Sequence, residues 1–482
     1  MRDTGAISAV LRVNLILIAL MSLSLFIDIL YGDLVRSNLL TFTIPLGAAL
    51  ILFLPYFIIK RSYGRFRKAR KYKLAMVFFL YLVVFGSIPF MLGAGMDPVS
   101  ALFESMAGWT TTGLSTVDAS SLAGDSHGLL FFRCAIQWAG GLFYLVVAFM
   151  VISDINDIAR RSADQKLISR IGVVPHFNKL LSTLAVLYGF FTLVSFILIS
   201  IGGMGIFDSL CLSLGTVSTG GYGPDGRFVD GGIPLHMILV LFMVLSGMGY
   251  YVHMSVFSAK GRLRTLLDNE NLFYITTIVT VPVISVMILS TSDLTLGQSV
   301  WRGIFSAISA VTTTGFMVEG MNDWPGSLKI FLLLLMLMGG SSLSVASGFK
   351  MQRVLLLTKG FLGEVKRSSH PRAVISLRRG EGTYSGKALE AANVTFFYLF
   401  TILGASIMAV LIFKGDILEV TSICVTAVSN SGIAFGEFST PEGVDSIGTV
   451  PKMTLLLVMF LGRFDIMLPL FFLSPGSYRF NG

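Results

Sequence analysis

Four short phrases of hydroxyl residues closed by glycine are the residues best suited to chemistry in this chain. They are Thr110-Thr111-Thr112-Gly113, Val217-Ser218-Thr219-Gly220, Thr312-Thr313-Thr314-Gly315 and Ser429-Asn430-Ser431-Gly432. The residue five before each glycine is also small: Gly108, Gly215, Ala310 and Ala427. The chemistry they suit is coordination of a dehydrated cation. Such an ion must exchange water oxygens for protein oxygens, and rings of backbone carbonyls make that exchange in K+ channels. Carbonyls that line a narrow tube require a backbone that leaves helical geometry, and glycine permits the left-handed φ that turns such a strand. Thr and Ser add hydroxyl oxygens at the inner end. A single phrase reads equally well as a Ser/Thr-rich helix end with a glycine cap. Four copies, each after a half-length apolar run, favour the ion-binding reading.

Those runs cover about 98–110, 206–217, 300–312 and 417–429. They are too short to span a bilayer and suit re-entrant segments whose irregular backbone lines a polar cavity. Each aims its C-terminal, partly negative end at the cavity, which favours a cation. Full-length apolar spans flank them at 74–93 and 128–152, 180–202 and 234–257, 272–290 and 327–349, and 393–413 and 452–473. Two more spans, at 9–30 and 38–59, come first. The expected fold is an all-α polytopic membrane protein of ten spans and four re-entrant pore helices. Two N-terminal transmembrane helices precede four tandem helix–pore-loop–helix repeats with pseudo-fourfold symmetry. The division is 1–73 for the extra spans and their basic loop, then repeats at 74–170, 171–265, 266–389 and 390–482.

Composition leads to the same class. Hydrophobic residues make up 54% of the 482 and charged residues 13%, against about 25% charged in a soluble domain. The net charge of +9 does not point to nucleic acid, because the basic residues cluster in short loops. Lys60–Lys73 carries Lys60, Arg61, Arg65, Arg67, Lys68, Arg70, Lys71 and Lys73 and no acid. Further clusters are Arg160, Arg161, Lys166 and Arg170; Lys260, Arg262 and Arg264; and Lys359, Lys366, Arg367, Arg372, Arg378 and Arg379. The loops on the phrase side are acidic, with Asp97, Asp118, Asp125, Asp225, Asp230, Glu319, Asp323, Glu437, Glu442 and Asp445. The positive-inside rule then makes both termini cytoplasmic. The first apolar run is too long for a signal peptide. Cys134, Cys211 and Cys424 have no paired or metal-binding spacing and read as packing residues. Tyr31 and Trp324, near span ends, read as interface anchors.

Two intramembrane irregularities remain. Gly339-Gly340-Ser341-Ser342-Leu343-Ser344-Val345-Ala346-Ser347-Gly348 interrupts the third inner span, and such a run unwinds a helix unless its backbone is satisfied locally. The alternative is a small-residue packing seam. Arg463 lies mid-span, where a charge is costly and usually functional. A structural pair with Asp465 is the alternative, although residues two apart on a helix do not face each other. Asp465 is also a candidate ion-pair partner for Lys350.

With these residues in view, the chain resembles the Trk/Ktr/HKT superfamily of cation transporters, and within it the bacterial Trk-type pore-forming subunit. Besides the four phrases, Phe132-Arg133 followed by Gln137-Trp138-Ala139-Gly140-Gly141 is similar to the family's first inner helix. The stretch from Glu364, Lys366 and Arg367 to His370-Pro371-Arg372-Ala373-Val374 resembles its cytoplasmic link between repeats three and four. The resemblance implies potassium uptake across the cytoplasmic (inner) membrane through a selectivity filter. Its residues would be Thr111, Thr112, Gly113, Ser218, Thr219, Gly220, Thr313, Thr314, Gly315, Asn430, Ser431 and Gly432. It implies a gate made of Gly339, Gly340, Ser341, Ser342, Ser344, Ser347, Gly348 and a pore-facing Arg463, with Lys350–Asp465 as a gate ion pair. The loop is richer in serine than is usual in the family. The resemblance also implies a homodimer and a cytosolic RCK-type (TrkA-like) regulatory subunit that binds NAD or nucleotide. This chain carries no Walker A motif, so it binds no cofactor itself, with K+ as the transported ion. A proton- or Na+-coupled symporter is the competing class, although such carriers usually show two inverted repeats and a mid-membrane carboxylate. No nucleophile–base constellation or metal cluster suggests an enzyme.

Overall fold

The structure is a computed structural model that describes residues 4–33, 40–47, 68–119, 121–122, 126–158, 177–224, 226, 229, 232–256, 266, 268–370, 378–379, 382–383 and 386–464. Nearly all of them are helical. Among the described residues the only paired strands are the two-residue hairpin Arg378–Arg379 and Gly382–Thr383. One pattern recurs along the chain. A long apolar helix leads into a short one, an irregular loop follows, and a second helix returns. The first instance is Lys68–Gly93, Pro98–Trp109 and His127–Ile158, and the second is Phe177–Ile201, Ile206–Val217 and Ile233–Gly247. The third is Asn269–Leu289, Leu296–Val311 and Gly326–Met338, and the fourth is Gly386–Leu411, Ile417–Ser429 and Thr449–Arg463. Five described helices are long and apolar enough to cross a membrane, or six with one bent pair.

The burial pattern is that of a protein surrounded by lipid. Large apolar side chains on the long helices face outward, such as Val186 at 70% exposure and Phe397 at 68%, while serines and threonines fill the centre. Three of the short helices start on side-chain caps, which satisfy amides that have no partner inside the helix. Asp97 accepts from the Val99 and Ser100 amides, and Asp416 from those of Leu418 and Glu419. Thr295 and Gln298 form a reciprocal capping box. That box starts the third short helix at Leu296, four residues before the sequence pattern suggested.

Two long elements break where the sequence pattern runs on. The stretch 234–257 divides into Ile233–Gly247 and Tyr250–Val256, bent by 95°. Met248 is extended, and Gly249 packs against a segment distant in sequence, where a Cβ would press on the Ser342 carbonyl. The last inner helix leaves helical geometry at Phe464. Trp324 is 5% exposed and belongs to the buried apolar core, so it is a packing residue and not a lipid-interface anchor. The side chains of Lys60–Lys73 and the basic loops at 159–170 and 257–265 lie outside the described residues.

Outside the centre, neighbouring units are stitched together. The Tyr222 hydroxyl donates to the Leu114 carbonyl at 2.7 Å, and the Val229 amide donates to the Met317 carbonyl at 3.2 Å. Asn322 bonds both the Gly436 amide and the Ser439 hydroxyl. Lys452 closes the circle on Asp445 and Ser100. The first N-terminal helix, Thr4–Tyr31, docks through Asp28, which accepts from the Ser126 hydroxyl and Gly128 amide, and through Tyr31 stacked on His127.

Candidate functional site

Each short helix ends in the same way. A hydroxyl residue donates back to the carbonyl four residues earlier: Thr110 to Met106, Ser218 to Leu214, Thr312 to Ile308 and Ser429 to Val425. The next residue has left-handed φ: Thr111 (55°), Thr219 (51°), Thr313 (53°) and Asn430 (50°). For a β-branched threonine this is a genuine outlier, and strain of this kind gathers at functional sites. Two residues on, a glycine is left-handed again: Gly113 (78°), Gly221 (77°), Gly315 (89°) and Gly432 (80°).

This pattern corrects the second phrase by one residue. The aligned stretch is Ser218-Thr219-Gly220-Gly221, and Gly221 is the counterpart of the other three glycines. Gly220 takes the position of Thr112, Thr314 and Ser431. Two adjacent glycines made the alignment ambiguous, and the φ angles resolve it. With the corrected register, the small residue five before the glycine is kept in three phrases only.

The four loops close into a ring. A Cβ on Gly113 would run into the Gly220 carbonyl oxygen, and one on Gly221 into that of Thr314. A Cβ on Gly315 would meet the Ser431 carbonyl oxygen, and one on Gly432 would lie 3.2 Å from that of Thr112. Carbonyls of 112, 220, 314 and 431 thus alternate with the glycines of neighbouring loops in the order one, two, three, four. No side chain fits at these glycines, for reasons of both space and φ. The side-chain oxygens of Thr111, Thr219 and Asn430 are buried with no hydrogen-bond partner among the described residues, while the Asn430 amide donates to Thr112 Oγ1 and to the Met459 carbonyl.

Behind the ring, the first two loops share a buried polar brace. The Arg133 Nε donates to Glu104 at 2.6 Å, both residues being almost fully buried. Glu104 also accepts from the Ser115 hydroxyl and the Thr116 amide, just after the first glycine. The Arg133 guanidinium lies 3.7 Å from the centroid of the Tyr222 ring, just after the second. Arg133 belongs to the quoted inner-helix motif, but its partner Glu104 had no signal beyond an acid inside an apolar run.

The interrupted segment lies against this ring on its inner side. The chain leaves the helix at Gly339 (φ 71°) and re-enters it at Met351, with left-handed Leu343, Gly348 and Lys350 between. The loop folds back so that the Phe349 amide bonds the Leu337 carbonyl at 2.9 Å. Its backbone is satisfied by neighbours: the Ser341 amide donates to the Gly247 carbonyl and the Leu343 carbonyl accepts from the Tyr250 amide. The break in the second inner helix therefore grips the loop. Glu270, 3% exposed, accepts from the Ser341 hydroxyl at 2.8 Å and the Ser342 amide at 2.5 Å. The Ser347 amide reaches the third phrase, donating to Thr313 Oγ1 at 2.8 Å. Arg463, 2% exposed, donates from Nη1 to the Ser347 hydroxyl and stacks over Tyr144 at 4.2 Å. The same Tyr144 ring lies 5.2 Å from Lys350 Nζ. Asp465, expected to pair with Lys350, lies outside the described residues. Glu270 had no signal in the sequence, where it reads as a boundary acid before an apolar span.

A nearly all-helical bundle with an outward apolar face, a central ring of four glycine-bent loops and a polar loop beneath it defines a multi-pass membrane protein built to handle an ion. The chain belongs to the TrkH family, described as cation transport protein, whose model matches residues 47–474. It is 27% identical to the Trk system potassium uptake protein TrkH of Halomonas elongata, over 98% of this chain and 99% of the relative. It is 26% identical to the protein of that name in Escherichia coli, over 92% of each. The crystal structure of the potassium transporter TrkH from Vibrio parahaemolyticus has the same fold, with a TM-score of 0.85 at 24% identity, over 98% of this chain and 99% of that one.

Proposed function

We propose that this chain takes up K+ across the cytoplasmic membrane through the four-loop ring. The observation that carries the reading is the closed alternation of the carbonyls of 112, 220, 314 and 431 with glycines 113, 221, 315 and 432. Such a ring supplies oxygens to a dehydrated cation at fixed spacing. The potassium-uptake relatives support K+ as the ion. In this reading the filter residues are Thr111–Gly113, Ser218–Gly221, Thr313–Gly315 and Asn430–Gly432, and the chain is organised as ten spans, two N-terminal ones followed by four two-span repeats divided as given above. The loop Gly339–Gly348 is the gate and Arg463 an electrostatic barrier under the filter, with the Arg463 contact to Ser347 in support. Both termini are cytoplasmic, the assembly is a homodimer, and a cytosolic nucleotide-binding subunit controls the gate.

The test is reconstitution of the purified chain in liposomes. Uptake of 86Rb+ or K+ is measured against Na+, with and without a pH gradient. Selective K+ flux independent of the gradient is expected. Flux driven by a proton or Na+ gradient would replace the channel by a coupled symporter, and equal passage of Na+ and K+ would refute the filter.

A further inference from the structure

The ring is fourfold in backbone but not in side chains. In three loops the hydroxyl at the helix end pairs with a hydroxyl two residues on: Thr110 with Thr112 at 2.7 Å, Thr312 with Thr314 at 2.8 Å and Ser429 with Ser431 at 2.8 Å. The second loop has Ser218 at the first position and Gly220, without a hydroxyl, at the second. Its place is taken by a residue from another element. The Gln137 Nε2 donates to the Gly220 carbonyl at 2.7 Å, and Gln137 Oε1 accepts from the Tyr222 amide at 3.1 Å. Gln137 is fully buried. The three atoms nearest to a Cβ built on Gly220 are all from Gln137. Gly220 has no left-handed φ, so its side chain is absent for lack of space and not for backbone reasons.

We propose that Gln137 is a selectivity-determining positioning residue. Its carboxamide holds the second filter strand as the hydroxyl pair holds the others. The donor bond acts on the carbonyl that faces Gly113, and the acceptor bond pins the residue after Gly221. Removing the amide leaves one of four ring carbonyls free to rotate, so the spacing that discriminates K+ from Na+ is lost on one side. This deepens the filter reading and rests on it.

The experiment is a K+/Na+ flux ratio in liposomes for wild type, Gln137→Ala, Gln137→Leu, Gly220→Ser and the double variant Gln137→Ala/Gly220→Ser. Gln137→Leu keeps the volume and removes both hydrogen bonds. Both single Gln137 variants are expected to lower the ratio about tenfold, the scale of one buried hydrogen bond. Gly220→Ser alone collides with Gln137 and is also expected to lose selectivity. The double variant supplies a serine hydroxyl to Ser218 in the vacated space and is expected to recover most of the wild-type ratio. A merely structural role would change the yield of folded protein and the total flux without this reciprocal rescue. A wild-type ratio in Gln137→Leu overturns the proposal, as does a double variant no better than Gln137→Ala. A wild type that fails to prefer K+ overturns the filter reading itself, which separates the two failures. Should Gln137→Ala not fold, Gln137→Leu and the double variant still decide.

Discussion

Glu270 offers the most direct handle on the interrupted loop. Its carboxylate comes from the start of an outer helix and holds the loop through the Ser341 hydroxyl and the Ser342 amide. Each such charge-assisted bond is worth about 1.5–3 kcal/mol. Water entering an emptied site recovers part of that, so Glu270→Ala should weaken the seated loop by about 2–3 kcal/mol. At 1.4 kcal/mol per decade this is about 30–140-fold in the ratio of seated to released loop. If about 1% of molecules are open at rest, the open fraction rises to about 20–60%. The assay is basal 86Rb+ flux of the purified chain without any partner, normalised to folded protein by size-exclusion profile. Ser341→Ala removes one of the two bonds and should give a smaller rise. Ser342→Ala removes only a hydroxyl directed at Gln352, keeps the amide, and should change flux little. A monodisperse Glu270→Ala protein with wild-type basal flux would refute the latch. Flux raised equally by Ser342→Ala would refute the assignment of the effect to Glu270.

Other expectations are simpler to read. Gly221→Ala must adopt a left-handed φ at about 1–2 kcal/mol and also collide with the Thr314 carbonyl, so K+-selective flux should be abolished as in Gly315→Ala; a selective Gly221→Ala protein would return the second phrase to its unshifted alignment. Arg463→Ala removes a buried positive charge beneath the ring and frees Ser347, so outward and inward flux should both rise, and unchanged flux would count against a barrier. Asp97 provides a pH readout outside the membrane. Hydrogen bonding from Ser100, and to a lesser degree the Val99 amide and the Lys452 charge, holds its carboxyl below the usual range against partial burial. Its contribution to stability is therefore present above the unfolded value of about 3.9 and lost as pH falls through the lower folded value. Thermal stability in detergent should drop over that acid window, and the drop should be smaller in Asp97→Asn.

The architecture was legible because its signals are local. A half-length apolar run followed by hydroxyls and glycine identifies a short helix and its turn without any tertiary knowledge, and three of the four short helices fall within a residue of where the pattern put them. The exception, Leu296–Val311, was decided by the reciprocal Thr295–Gln298 cap, which lies upstream of the apolar run. The 95° break after Gly247 was not legible. Ser246-Gly247-Met248-Gly249 within an apolar span reads as a packing seam, and only the approach of the Ser342 carbonyl to Gly249 gives it another purpose. A residue whose conformation is set by a partner about ninety positions away leaves no periodicity to read.

The same reasoning explains why the second phrase aligns by φ one residue later than by its hydroxyls. Matching phrases by their hydroxyls assumes that each repeat solves its geometry with its own residues. Three repeats do, through the pairs 110–112, 312–314 and 429–431. The second borrows a carboxamide from a neighbouring helix, and its own sequence has shrunk to glycine to admit it. The backbone, with left-handed residues at 219 and 221, is conserved among the four strands more strictly than the side chains that hold it. In a ring where every carbonyl abuts the preceding loop's glycine, the constraint falls on the positions of oxygens, and any group that fixes them from behind satisfies it. Symmetry at such a site is therefore to be sought in φ and in carbonyl placement first, and residue identity follows only where the brace is local.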